Sequence, residues 1–217
     1  MSDPFRVAHL GDLERIGAGG GLYRPIRRRL GVRAFGINAY TAERAGDQVI
    51  ERHDEVSGGG PGRQEELYMV VAGHAEFTVA GQTVDAPAGT MVFIPDLTAE
   101  RSAVARADET TVVVVGGPAD APIPTSPFEF WFAAEPAYRA GDYDRAAEIA
   151  SEGLAEWPQH ATLRYQLACY HALAGRPDEA LEHLRIAVEN EPQAAGWAAD
   201  DSDLDSIRAD PSFPAAE

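Results

Sequence analysis

Two hydrophobic rhythms divide the chain near residue 117. Before it, short β-branched runs alternate with glycine turns. After it, Ala, Leu, Glu and Arg recur at helical spacing. In the first part Phe35, Ile37 and Ala39 alternate with Gly36 and Asn38, and residues 49–56 read as a strand. Residues 67–71 form a buried run that ends at Gly73. Residues 76–79 and 83–85 flank a hairpin turn at Ala80-Gly81-Gln82, and 91–94 and 110–115 complete the set. Many short, evenly spaced strands with Gly and Pro turns predict an all-β sandwich or barrel. Residues 17–21 hold four glycines and read as a loop, followed by Arg24, Arg27, Arg28 and Arg29. An anion site is one reading of these arginines. The preferred one is an edge strand whose charge discourages aggregation.

The second part repeats itself. Gly141 and Gly175 are 34 residues apart, as are Asp144 and Asp178, Ala146 and Ala180, Pro158 and Pro192, and Ala134 and Ala168. That period belongs to stacked helix-turn-helix units. Leu163, Leu167, Tyr170, Leu173, Leu181, Leu184 and Val188 fall at helical spacing for the seams. Residues 197–213 predict a closing helix in which Leu204, Ile207 and Phe213 cover the last exposed face. Between the two parts, residues 116–127 hold four prolines, which neither donate to a ladder nor continue a helix. They predict a stiff linker. The expected organisation is a β domain over 1–117, a Pro-rich linker over 118–127 and a helical part over 128–217.

Charge and cysteine content narrow the chemistry. Lys plus Arg total 18 against 35 Asp plus Glu, a net charge of −17. Such a surface repels phosphate backbones and anionic lipid, so neither nucleic acid nor membrane is an expected partner. The one cysteine, Cys169, allows no internal disulfide and no thiolate zinc cage. It reads as a small buried hydrophobe, and its solitude suits a reducing cytoplasm. Residues 1–10 do not read as a secretory signal, and the longest uniform apolar run, 112–115, is far too short to span a bilayer. No phosphate-binding loop with its lysine and no Gly-x-Ser-x-Gly elbow is present.

Two stretches carry a family resemblance. Glu65-Glu66-Leu67-Tyr68-Met69-Val70-Val71-Ala72-Gly73 is similar to the latter half of the first cupin motif, in which a Glu opens a strand and a Gly follows seven positions on. Residues 81–89 resemble the start of the second motif, and Ile94-Pro95 the entry to the strand carrying its last ligand. The resemblance covers about 35–117. Residues 127–192 likewise resemble the tetratricopeptide repeat (TPR), although Arg164 and His171 stand where that family usually has aromatics. The implied fold class is multi-domain α+β: an all-β cupin jelly-roll barrel followed by an all-α, TPR-like array of helical hairpins.

The cupin resemblance implies a metal site that is largely depleted here. Counted directly, Gly60 and Gly62 stand at the positions of its His-x-His pair, and Glu100 stands where its last His would be. If residues 56–62 are an inserted loop, His53-Asp54-Glu55 replaces the pair, with both end residues on one face of a strand. The candidate metal ligands are then His53, Glu55, Glu66 and Glu100. By type they suit a hard or borderline divalent ion such as Mn²⁺ or Fe²⁺. The alternative is that His53, Glu55 and Glu100 are ordinary surface residues and only Glu66 points inward. Glu66, with Tyr68 two residues on, is the candidate acid–base pair.

Three functional readings follow. The favoured one is a binding protein: the barrel holds a small-molecule ligand with no certain cofactor, and the repeats dock a protein partner. The second is a metal-dependent oxygenase or isomerase of a small polar substrate. The third is metal-free proton transfer by Glu66. By resemblance a homodimer is expected, with contacts around residues 23–37.

Overall fold

Among the described residues the first part of the chain forms ten antiparallel strands. Strands β1 (Ile16–Ala18) and β2 (Gly21–Arg24) precede a short helix, α1 (Ile26–Leu30). The next are β3 (Gly36–Ala42), β4 (Gln48–His53), β5 (Gln64–Ala72), β6 (His74–Val79) and β7 (Gln82–Pro87). Then come β8 (Met91–Ile94), β9 (Arg101–Ala105) and β10 (Thr110–Pro118). One sheet runs β1-β2-β3-β10-β5-β8 and the other β4-β9-β6-β7. From β3 onward, the orders β3-β10-β5-β8 and β4-β9-β6-β7 are those of an eight-stranded jelly roll.

This is a computed structural model, and it describes residues 5–18, 21–57 and 63–214. The positions of Gly60 and Gly62 lie outside them. The chain divides into two units, Met1–Pro122 and Ile123–Glu217.

A single apolar core joins the two sheets of the first unit. Tyr68, Val70, Ile94 and Val112 reach it from one sheet and Val49, Ile50, Phe77 and Ala103 from the other. Tyr68 meets Phe77 edge to face, with ring centroids 5.6 Å apart. No ladder joins the two sheets among the described residues, so the expected barrel is a pair of facing sheets. Strand β9 was not expected. It reads Arg-Ser-Ala-Val-Ala, and its inward residues are Arg101 and two alanines. Small residues face the core here because Tyr68 and Phe77 fill the middle, so apolar alternation gives no signal.

Two expectations for the N-terminal arginines change. Arg24 is buried at the end of β2, where its Nε donates to Thr41 Oγ1 at 2.9 Å and its Nη1 to the Leu10 carbonyl at 2.8 Å. Arg27, Arg28 and Arg29 lie on α1, not on an edge strand, because Pro25 ends β2. Strand β2 is itself flanked by β1 and β3.

The second unit is two helical hairpins and a cap. Helices α2 (Pro127–Arg139) and α3 (Tyr143–Glu152) form the first hairpin, and α4 (Ala161–Leu173) and α5 (Pro177–Asn190) the second. Gly141 and Gly175 hold left-handed φ values of 77° and 74° in the two turns, where a Cβ would be strained. The capping bonds repeat with the sequence: the amide of Asp142 donates to the Ala137 carbonyl, and that of Arg176 to His171. Ala134, Ala146, Ala168, Ala180 and Ala187 are fully buried, which lets paired helices approach closely.

The closing helix is shorter than expected. Helix α6 (Ala194–Asp200) stops before Asp201, whose side chain accepts from the Asp203 amide and starts a separate 3-10 turn. Leu204 and Ile207 still bury in the core, with Phe213 against it. Among the described residues, no helix is long and apolar enough to cross a membrane.

Candidate functional site

The inward face of β5 changes from apolar to polar along its length. Val70 and Tyr68 lie in the core, while Glu66 and Gln64 face a cavity of about 490 Å³ between the sheets. Across the ladder, Glu66 stands opposite Gly116 of β10 and Ile94 of β8. Gly116 leaves room for Gln64: a Cβ there would fall 2.6 Å from Gln64 Oε1. Tyr40 and Asn38 of β3 and Val49, Ile50 and His53 of β4 supply much of the remaining wall.

One carboxylate oxygen organises the cluster. Glu66 Oε2 accepts from the Tyr68 hydroxyl at 2.5 Å. His53 Nε2 lies 3.5 Å from it and Arg101 Nη2 3.2 Å. The His53 Nε2 atom is also 3.3 Å from the Tyr68 oxygen. Its other nitrogen, Nδ1, donates to the Glu51 carbonyl at 2.7 Å, which fixes the ring. Burial alone would raise the Glu66 carboxyl, but His53, Tyr68 and Arg101 outweigh it and hold it below the usual carboxylate range. The same contact with Glu66 raises His53 above its ordinary value, against burial and the repulsion of Arg101. Burial and the Glu66 charge push Tyr68 far up, so its hydroxyl stays a donor. Tyr40 is raised as well, mainly by burial.

The structure brings together three of the four expected metal ligands. His53, Glu55 and Glu66 each place one ligand atom within 4.8 Å of the others. Glu55 arrives differently from the expected strand pair. Strand β4 ends at His53, and the Asp54 carboxylate accepts from the amides of Val56 and Ser57, turning the chain. The Glu55 side chain then comes back to within 4.0 Å of His53 Nε2. Glu100 stays outside: it is exposed and paired with Arg52.

The adjacent residue, Arg101, takes the interior place and was missed by sequence reasoning. It stands opposite His53 in the ladder and its side chain has no solvent exposure. Its Nη1 donates to the Ala99 carbonyl at 2.8 Å. Its Nε and Nη2 make no aligned hydrogen bond among the described residues, so the 3.2 Å approach to Glu66 is a charge contact.

By ligand type, His53, Glu55 and Glu66 suit Mn²⁺ or Fe²⁺. The charge balance does not suit a resident divalent ion. Glu66 already faces the Arg101 guanidinium, which cannot lose its proton, and both Glu66 and Glu55 lie beside His53, whose pKa is raised. A dication would add two charges beside a buried cation and compete for an oxygen that three groups already approach. The arrangement instead places a carboxylate, Glu66, in the wall of one cavity, with the Tyr68 hydroxyl and His53 turned on one of its oxygens and the other oxygen left as an acceptor.

The family model of the tetratricopeptide repeat matches residues 137–199. None of the curated proteins matches the sequence. Similar solved structures include a cupin protein from Bacteroides fragilis, 16% identical over 57% of this chain and 92% of that one, with a TM-score of 0.42. Another is the nucleoside dehydratase Pac13 of Streptomyces, 16% identical over 52% and 82%, with a TM-score of 0.39. A third is KdgF from Halomonas sp., 16% identical over 49% and 87%, with a TM-score of 0.39. The order expected from the sequence, a jelly roll and then TPR-like helices, is the order found.

Proposed function

We infer that the jelly roll is a receptor for a small polar molecule and that the helical hairpins dock a protein partner. The observation that supports the first part most is the cavity of about 490 Å³ with Glu66, His53 and Tyr68 in its wall. That volume lies in the range of ordinary small-ligand pockets, about 300–1,000 Å³. A ligand hydroxyl or amide would donate to the Glu66 carboxylate or to the Tyr68 oxygen, and a ligand acceptor would meet His53. The same groups can move a proton, with Glu66 as base and His53 as acid. A linker over residues 118–127 would let the two functions sit on separate units.

The test is a ligand screen of small polar compounds against the whole chain, read by protein NMR. Hits should perturb Tyr40 and Tyr68 and lose about tenfold or more in affinity in Glu66→Gln, which removes a charged acceptor. Hits indifferent to that change, or none at the cavity, contradict the reading.

A second reading, a divalent-metal enzyme, draws on the 4.8 Å grouping of His53, Glu55 and Glu66. Elemental analysis decides it: stoichiometric Mn or Fe that Glu66→Gln removes would favour the metal. A homodimer with contacts around residues 23–37 belongs to the receptor reading, and sedimentation of the whole chain tests it.

A further inference from the structure

All 18 basic residues of this acidic chain are arginines, and five of them fall within residues 24–33: Arg24, Arg27, Arg28, Arg29 and Arg33. No Asp or Glu lies in that stretch. Among the described residues, none of these five is ion-paired with a carboxylate, although 35 carboxylate side chains are in the sequence. Elsewhere the arginines are commonly paired, as Arg52 is with Glu100 and Arg176 with Asp144. Solvation alone does not explain why four cations on and beside one short helix lack partners in a chain of net charge −17.

Their position gives the reason. Arg27, Arg28 and Arg33 line a second, open cavity beside Tyr23 and Asn38. Arg27 and Asn38 line both this cavity and the one that holds Glu66. The Tyr23 hydroxyl donates to Asn38 Oδ1 at 2.9 Å, which leaves the Asn38 amide N–H groups as donors to the shared wall. Arg27 uses its Nε on the Val32 carbonyl, at 3.2 Å, so its terminal nitrogens stay available. Arg52 also lines the inner cavity, but Glu100 neutralises it. The inner cavity therefore has two carboxylates in its wall, Glu66 and Glu51, and also a guanidinium, Arg27, that no carboxylate pairs among the described residues, beside the Asn38 amide.

We propose that the ligand of the jelly roll is an anionic small molecule, whose polar body reaches Glu66, His53 and Tyr68 while its phosphate or carboxylate is held by Arg27 and Asn38. This rests on the small-ligand reading of the same cavity and adds the charge of the ligand. Guanidinium forks match both oxyanions, and Arg28 and Arg33 raise the local anion concentration at the entrance. The surrounding acidic surface repels anions, and the arginine stretch offers them a favourable approach.

Matched probes test it: glycerol, glycerate and glycerol 3-phosphate, and ribose with ribose 5-phosphate, titrated by NMR at low ionic strength. The chains compared are wild type, Arg27→Gln, Arg27→Lys, Arg29→Gln and Glu66→Gln. Arg29 lines neither cavity and serves as the charge control. The anionic members should bind about tenfold or more tightly than their neutral parents. Arg27→Gln should erase that gain, Arg27→Lys should keep part of it, and Arg29→Gln should leave it unchanged. Glu66→Gln should weaken neutral and anionic members alike. Neutral probes that bind through Glu66 with no preference for the anions would overturn this proposal and leave the receptor reading standing. Equal losses in Arg27→Gln and Arg29→Gln would also overturn it, as unspecific attraction. Binding of no probe at the cavity would sink both.

Discussion

Each unit of this protein gathers three metal-ligand side chains, and the two triads have opposite fates. In the jelly roll, His53, Glu55 and Glu66 come together beside a cavity, and Glu66 spends its oxygen on groups that also face open space. In the helical unit, Cys169, Asp201 and Asp203 are equally close. There the oxygens are consumed within the fold. Asp201 accepts from Tyr165 at 2.8 Å, and Asp203 accepts from Tyr138 at 2.8 Å. The Cys169 thiol is buried, and burial together with both aspartates pushes it well above its ordinary range. Residue type and proximity therefore do not define a site. Free volume beside the polar groups separates the two, and among the described residues the first triad has it at Glu66 and His53.

The largest effect that would break this comparison is at Arg101. In Arg101→Ala the Glu66 carboxylate stays buried without its cation, and the loss of stability should be about 3–5 kcal/mol by chemical denaturation. The double change Arg101→Met, Glu66→Gln removes both charges and should restore most of it. A loss below about 1 kcal/mol for the single change would mean that water, not Arg101, compensates Glu66. In the helical unit, Asp201→Asn keeps an acceptor for Tyr165 and should cost less, about 1–2 kcal/mol.

Acid should separate the two units next. His171 and His183 stack with ring centroids 5.2 Å apart. Arg176 donates to His171 at 2.9 Å, and Arg164 lies 3.1 Å from His183 Nδ1. Burial and the arginines depress both, and His171 depresses His183 further, to about 4, against the weaker pull of Glu179 and, for His171, Asp144. The unfolded chain takes up these protons near pH ~6.5, so the contribution is whole above that pH and declines as pH falls toward 4. His53 runs the other way. Its folded value is raised, so its contribution is whole below pH ~6.5 and fades as pH rises through the folded value. All three tryptophans, Trp131, Trp157 and Trp197, lie in the helical unit. Their fluorescence should therefore report an acid-side loss of stability that His171→Gln with His183→Gln removes.

The smallest effect concerns Cys169. With its thiol buried and raised, alkylation of the folded protein should be slow and should track unfolding. Rapid modification at neutral pH would show that the second triad is more open than described.

The helical unit was the more legible part because its information is repeated. The 34-residue spacing of Gly141 and Gly175 is the spacing of the turn bonds themselves. What failed there was local: Asp201 turns its carboxylate on its own backbone and ends a helix that the apolar spacing of Leu204 and Ile207 would continue. In the jelly roll, alternation revealed seven strands, and the place of Glu66 on the inner face of β5 follows from Tyr68 and Val70 on the same face. The site's cation was hidden because β9 shows alanines to the core and valine outward. By hydrophobicity Arg101 belongs outside and Val104 inside; packing around Tyr68 and Phe77 reverses this. Glu55 was assigned to the cluster by strand parity, and it reaches there through a turn that parity does not describe.

Glu66 and His53 are expected to form a charged pair at the wall of the cavity, beside Arg101. Ring-nitrogen NMR of His53, followed from pH ~5 to ~8 in metal-free protein and in Glu66→Gln, tests it directly. The expected result is a titration midpoint above the ordinary ~6.5, with both ring nitrogens protonated below it, and a drop in midpoint in Glu66→Gln. A midpoint at or below ~6.5 that ignores Glu66→Gln would contradict it.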